Sequence, residues 1–374
     1  MLGEIRDYFD TRSAGVLPVT PPPIASADPC SGVAHDVILL DRSPELFHRF
    51  RSLACLKAQY RRWKSEGWEP DVVMVYNLSP IYNQFLLWLR KDPNCPQLVL
   101  LLLDSPNLGV PQRRWKAFRR RFKPMYTPDS EMLPRFDACV GLSKMTERYF
   151  RPRQVPFLWM PGGCNPKRAT VPSPQFPPRN GSLRLGYFGC LSEHAGVRPL
   201  VETVLGSEMS ATVEICGYGR LDDKLSRVAN QDPRLKFHGL QTPDDCLAFG
   251  QSCDVLVNPR PATHGNENNF ASKLFDYALT GRAILTSRLS GAEDVLGPEA
   301  FYFDPQNFRS SLQESLLAVA ASSRAELDRR GQAIQNQVTS EFSWNRQGAR
   351  LASFLQGLCP TTPVPESRLA ALAA

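Results

Sequence analysis

Histidine is scarce in this chain, with five in 374 residues. Only His35 and His48 lie in the first half, and neither sits at an obvious strand end. Imidazole acid/base chemistry in that half therefore has no well-placed candidate. The ten cysteines stand alone, without a C-x-x-C pair. Cys139, Cys190, Cys216 and Cys253 sit in or beside apolar strands and read as small core residues of a reducing cytoplasm. No acidic triplet suited to a metal is apparent, so no metal and no cofactor are expected. No stretch approaches the ~20 apolar residues of a membrane span, and the N-terminus lacks a signal-peptide core. LVLLLL is only a strand-length run. No nucleic-acid motif is present, and net charge alone does not supply one, so no nucleic-acid partner is expected.

A chain of this length suits two ordinary domains. Its charge is uneven. Residues 1–180 carry an excess of ten positive charges, whereas residues 181–374 carry an excess of three negative ones, for the net +7. RRWK (61–64) and RRWKAFRRRFK (113–123) hold much of the excess. Trp115, Phe118 and Phe122 recur at helical spacing within 113–123. The segment reads either as a basic amphipathic helix for an anionic membrane surface or as a solvated face with three core contacts. The protein is expected to be cytoplasmic, peripheral to the inner face of a membrane if the first reading holds.

Apolar runs alternate with helical patterns along most of the chain. In the second half the strands are LRLGYFGCL (183–191), ATVEICGYG (211–219), LKFHGLQ (235–241), CDVLVNPRP (253–261), RAILTS (282–287) and FYFDP (301–305). Thr242 is positioned as the N-cap of the helix after the third. Such alternation predicts a Rossmann-like parallel sheet. In the first half HDVILL, DVVMVYNLSP, QLVLLLLDSP, DACVGLS and VPFLWMPGG read as strands, and 45–64 and 83–91 as helices. No apolar strand is evident before His35. The expected domains are 1–163, a Pro-rich linker at 164–182, 183–340, a final helix at 341–358 and a tail at 359–374. Tyr76, Asn77, Asp104 and Ser143 end or follow predicted strands of the first domain and are its candidate site residues.

The densest stretch is NNFASKLFDYALTGRAILTS (268–287). A polar entry leads into a helix that stops at Gly281, and a strand follows. The first N–H groups of a helix lack internal partners and favour an anion. Ser272 adds a hydroxyl there, and Lys273 a full charge. Asp276 shares a face with Ser272, roughly 6 Å along the axis, which suits a diphosphate at the tip and a ribose beside the next turn. No basic residue three or four positions on accounts for Asp276 as an ion pair. Ordinary helix capping would explain the Ser-Lys alone. The flanking strands favour a site, because ligands of open α/β sheets bind beyond the carboxyl ends of the strands. Asn258, Arg260 and 266–273 all fall there.

These residues carry a resemblance. Leu185–Glu193 with Gly189, the Gly217-Tyr218-Gly219 turn, DVLVNPRP, and 268–287 followed by Gly291 resemble the donor domain of group 1, or family 4, retaining glycosyltransferases. A subgroup motif there reads N-x-F-P-S-K-x-x-E-Y. Ala271 stands for its Pro and Asp276 for its Glu. Many members carry two glutamates separated by seven residues, where this chain has Asn268 and Asp276. The family's usual Arg and Lys near the first strands of this domain are missing from GYFGCLSEHAG.

The resemblance implies an α/β chain of the GT-B fold, with two Rossmann-like domains facing across a cleft and the last helix returning to the N-terminal domain. It implies transfer of a sugar from a nucleotide-sugar to a hydroxyl of a glycan or lipid-linked acceptor, with retention. Arg260 and Lys273 would neutralise the diphosphate in place of a metal, and Asp276 would hold the ribose. Gly189, Asn258, Asn268, Asn269, Phe270 and Ser272 would complete the donor site, with the base against Gly217, Tyr218 and Gly219, and Tyr76, Asn77, Asp104 and Ser143 of the first domain would stand on the acceptor side. Asn268, an amide that can be neither acid nor base, keeps a non-catalytic donor-binding subunit open as an alternative. A sugar-nucleotide epimerase would need acid/base residues that are not found.

Overall fold

The structure is a computed structural model that describes residues 12–18, 34–40, 45–78, 80–103, 133–170 and 182–359. Asp104, the basic segment 113–123, most of the Pro-rich stretch and the tail beyond residue 359 lie outside these. The chain forms two compact units. The first comprises Met1–Leu142, Thr146–Met160 and Asn345–Ala374; the second comprises Ser143–Met145 and Pro161–Trp344.

In the first unit, β1 (Arg12–Pro18) pairs in parallel with β2 (Ala34–Leu40). A strand therefore does precede His35, against the sequence expectation. Its residues, RSAGVLP, include only two large apolar side chains, so neither alternation nor a run marks it. Its order comes from the backbone ladder with β2, and Pro18 sits at its end, where a missing N–H is tolerated. Helix α1 (Glu45–Ser65) follows, then β3 (Val72–Tyr76), α2 (Pro80–Leu89), β4 (Gln97–Leu102), β5 (Ala138–Gly141) and β6 (Phe157–Trp159). The last four strands form one parallel sheet in the order β3-β4-β5-β6. One face packs Leu98, Leu100 and Cys139 against Leu56, Tyr60, Phe85 and Leu86 of the two helices.

The second unit holds β7 (Leu183–Cys190), α3 (Val197–Leu205), β8 (Ala211–Tyr218), α4 (Asp222–Ala229), β9 (Leu235–Gly239), α5 (Pro243–Ser252) and β10 (Val255–Asn258). Then come α6 (His264–Asn268), α7 (Lys273–Leu279), β11 (Ala283–Ser287), α8 (Ala292–Leu296), β12 (Phe301–Phe303), α9 (Phe308–Ala321) and α10 (Arg324–Glu341). Thr242 caps α5, its Oγ1 accepting from the Asp245 N–H at 3.2 Å. The six strands are parallel in the order β12-β11-β10-β7-β8-β9. This is the doubly wound Rossmann order, and it reverses between β7 and β10. The crevice beyond their carboxyl ends is thus the place where such a sheet takes a ligand.

A charged cluster lies on one face of this sheet, with Arg184 and Glu214 buried, His238 partly buried and Lys236 exposed. Arg184 donates from Nε to Glu214 Oε1 at 2.8 Å, His238 Nε2 lies 3.0 Å from Oε2, and Lys236 lies 3.3 Å from Oε1. Burial alone would raise the Glu214 carboxyl, but hydrogen bonds from His238 and Arg184 outweigh it and hold it at about 2.

The last helix, α11 (Trp344–Leu358), joins the first unit. Leu351 and Leu355 pack against Val99, Leu101, Ala138, Val140 and Met160, which is the second face of that sheet. Arg350 Nη2 donates to the Trp159 carbonyl at 2.9 Å.

Candidate functional site

At the reversal point of the second sheet lies a cavity of about 190 Å³, lined by Cys190, Ser192, His194, Ala195, Arg260, Asn266, Phe270, Ala271, Ser272 and Lys273. Ligand pockets usually span ~300–1,000 Å³, so this one has room for only part of a molecule of that class. Each lining segment follows from the topology. Cys190 ends β7, Arg260 follows β10, and Phe270–Lys273 lead into α7. Gly196, at φ 74°, lets the segment after β7 touch the segment after β10, because a Cβ there would fall 1.6 Å from the Pro259 carbonyl oxygen.

Two cations shape the cavity. Arg260 grips the loop that carries it: Nε and Nη2 donate to Asn266 Oδ1 at 3.1 and 2.5 Å, and Nη1 to the Asn269 carbonyl at 2.9 Å. Asn266 in turn donates to the His194 and Pro261 carbonyls. Lys273 Nζ donates to the Tyr187 hydroxyl at 2.5 Å and lies 4.2 Å from that ring's centroid. Burial and the neighbouring Arg260 charge push the Lys273 ammonium down to about 7. Its proton is therefore lost readily unless an anion arrives.

Of the residues nominated from sequence, the structure brings Arg260, Phe270, Ser272 and Lys273 to this cavity. Gly189 adjoins it, since a Cβ there would lie 2.9 Å from Lys273 Nζ. Asn269 contributes its carbonyl to Arg260. Asn258 is buried at the end of β10, donating to Thr286 Oγ1 at 2.9 Å. Asn268 is buried and its Nδ2 lies 3.0 Å from His264 Nε2. Gly217 and Gly219 flank the end of β8, where Tyr218 is exposed. Asp276 lies one turn into α7, with Arg168 Nη1 3.7 Å away. Arg168 also donates to Asp244 at 3.1 Å. Asp276 thus has an ion-pair partner after all, supplied from far along the chain. Its surroundings push its carboxyl up, and the Arg168 charge works against that.

In the first unit Tyr76 is exposed at the end of β3. Asn77 accepts from the Leu103 N–H at 2.8 Å through Oδ1. Ser143, grouped with the second unit, is buried and donates from Oγ to the Glu267 carbonyl at 2.9 Å.

Sequence reasoning missed Tyr187, Ser192 and His194, and it took Cys190 for a core residue. Cys190 is exposed, because β7 ends there and its side chain meets the cavity instead of a neighbouring layer. Among the described residues, no helix is long and apolar enough to cross a membrane.

No protein-family model matches the chain, and no curated protein matches it. Solved structures do. Sucrose-phosphate synthase from Thermosynechococcus elongatus superposes with a TM-score of 0.65 at 18% identity, over 87% of this chain and 84% of that one. HepE of Anabaena in complex with UDP gives 0.60 at 12% identity, over 87% and 86%. A glycosyltransferase from Rickettsia africae gives 0.62 at 11% identity, over 88% and 86%. With two parallel-sheet α/β units and these neighbours, the chain has the GT-B fold of glycosyltransferases.

Proposed function

We propose that this protein is a glycosyltransferase that moves a hexose from a nucleotide-sugar to a hydroxyl of a glycan or lipid-linked acceptor, with retention, in cell-surface or exopolysaccharide synthesis. The observation that carries the reading is the pair of cations, Lys273 and Arg260, on one cavity at the sheet's reversal point. A diphosphate is the ligand class that such a pair suits. Solved neighbours include a complex with UDP and one with UDP-2-fluoro glucose, which supports a nucleotide-sugar donor.

Breaking the bond between sugar and diphosphate leaves negative charge on the departing phosphate. Lys273 and Arg260 stabilise that charge as it develops, without a metal. Arg260 is already fixed by Asn266 and Asn269, so little reorganisation is needed when the charge appears. Asp276 takes the ribose hydroxyls, sharing its carboxylate with Arg168. The base lies along Gly217–Gly219. Residues 113–123 bring the enzyme to an anionic membrane surface.

Hydrolysis of UDP- and GDP-sugars without acceptor tests the reading. Lys273→Ala should lose about 10²–10³-fold in rate while keeping its circular dichroism spectrum. The second reading, a donor-binding subunit without turnover, is favoured by Asn268, whose amide is buried against His264 where a carboxylate would be expected. Donor binding with no hydrolysis and no transfer to any acceptor would select it.

A further inference from the structure

Tyr187 lies within β7 and is fully buried, among aliphatic neighbours that ask only for a ring. A phenylalanine would fill the same volume without burying a hydroxyl that needs partners. The hydroxyl has two partners. It donates its single proton to the Cys190 carbonyl at 2.7 Å, at the end of the same strand. Its lone pairs are then left to accept, and Lys273 Nζ donates to them at 2.5 Å. The direction of both bonds follows from this inventory.

Lys273 is confined on two further sides. Its ammonium lies 4.2 Å from the Tyr187 ring centroid, and it packs where a Cβ on Gly189 would stand. Gly189 has φ 138°, so a side chain is disfavoured there by conformation as well as by space. An ammonium has three N–H donors. One goes to Tyr187, which leaves two for a ligand, and Lys273 lines the cavity.

We propose that Tyr187 is a positioning residue, which fixes Lys273 by hydroxyl and ring so that its remaining N–H groups meet the oxygens of a diphosphate. This rests on the donor reading above. The charged and titratable groups facing Lys273 are Arg260 and Cys190, with Tyr187 itself. Arg260 is a permanent cation that works against a second one, so an incoming diphosphate and the Lys273 proton favour each other.

The test compares wild type with Tyr187→Phe, which keeps the ring and the volume. UDP and GDP are titrated calorimetrically between pH 6 and 8.5, and the matching nucleoside, uridine or guanosine, is measured by saturation-transfer NMR. For wild type, diphosphate affinity should fall as pH rises through neutrality. Tyr187→Phe should bind the diphosphate about tenfold more weakly, the worth of one charge-assisted hydrogen bond. It should bind the nucleoside unchanged and fold as wild type by circular dichroism. Unaltered diphosphate affinity in Tyr187→Phe, or parallel loss of the nucleoside, would overturn the positioning role alone. If wild type binds neither diphosphate, or Lys273→Met binds them as wild type does, the donor reading itself fails and this role falls with it.

Discussion

Lys273 is a cation held where the solvent cannot fully reach it, and that has a cost in stability. An unfolded lysine titrates near its ordinary value of 10.5, and the folded one at about 7. Between those values the unfolded chain binds more protons, so stability rises with pH across that window. Below neutral pH both states are protonated, and the full cost of burying the charge remains. Lys273→Met should therefore melt above wild type at pH 6, with the difference shrinking toward pH 10, as differential scanning calorimetry can follow. A melting gain that is flat with pH would mean that the ammonium is not desolvated in the folded protein. Stability gained by removing a site residue is the expected exchange at a ligand-binding position.

At the scale of elements, the site is made by two connections leaving neighbouring strands. Gly196 sets their approach, and no other residue type fits its left-handed φ and its contact with Pro259 together. Gly196→Ala must push the two segments apart and carry Arg260 with them. It should weaken UDP or GDP binding at least tenfold and destabilise the fold by roughly 1–3 kcal/mol, read by calorimetry and urea unfolding. An alanine variant that binds as wild type would show that the cavity does not depend on this contact.

The same scale explains what the sequence made legible. The second sheet was readable because its inner strands β7, β8, β10 and β11 are mostly apolar and mostly buried along their length. Lys273, Ser272 and Phe270 were readable because a helix start with a cation carries its own logic. Tyr187 was not, because a tyrosine within a buried strand has the pattern of core, and only the fold reveals where its hydroxyl points. The Arg168–Asp276 pair joins residues more than a hundred positions apart, which no local spacing records. Strand β1 escaped because RSAGVLP carries neither an apolar run nor an alternation, and a backbone ladder leaves no local mark in the sequence.

Across the whole molecule, Glu214 is the expected buried source of acid sensitivity in the second unit. Glu214 is held at about 2 when folded, against its ordinary 4.5. A carboxyl lowered on folding contributes stability above its unfolded value and loses it as pH falls through the folded one. The Glu214 contribution is thus present above pH 4.5 and disappears between pH 4.5 and 2. Removing it takes the carboxylate from buried Arg184, which still donates to the Ser252 hydroxyl, and breaking such a pair costs up to about 3–5 kcal/mol. Glu214→Gln should therefore lower the melting temperature at pH 7 and flatten its decline below pH 4.5. A variant whose acid profile parallels wild type would assign the sensitivity to other carboxyls.

The closing helix has a bearing on how the chain is made. Leu351 and Leu355 of α11 complete one face of a sheet whose strands end by Trp159. A ribosome delivers those strands first and that helix after the entire second unit. While the intervening chain emerges, Val99, Leu101, Val140 and Met160 wait uncovered, although exposed apolar surface of this kind invites aggregation during synthesis. The first unit to be started is therefore covered only once the second has been synthesised.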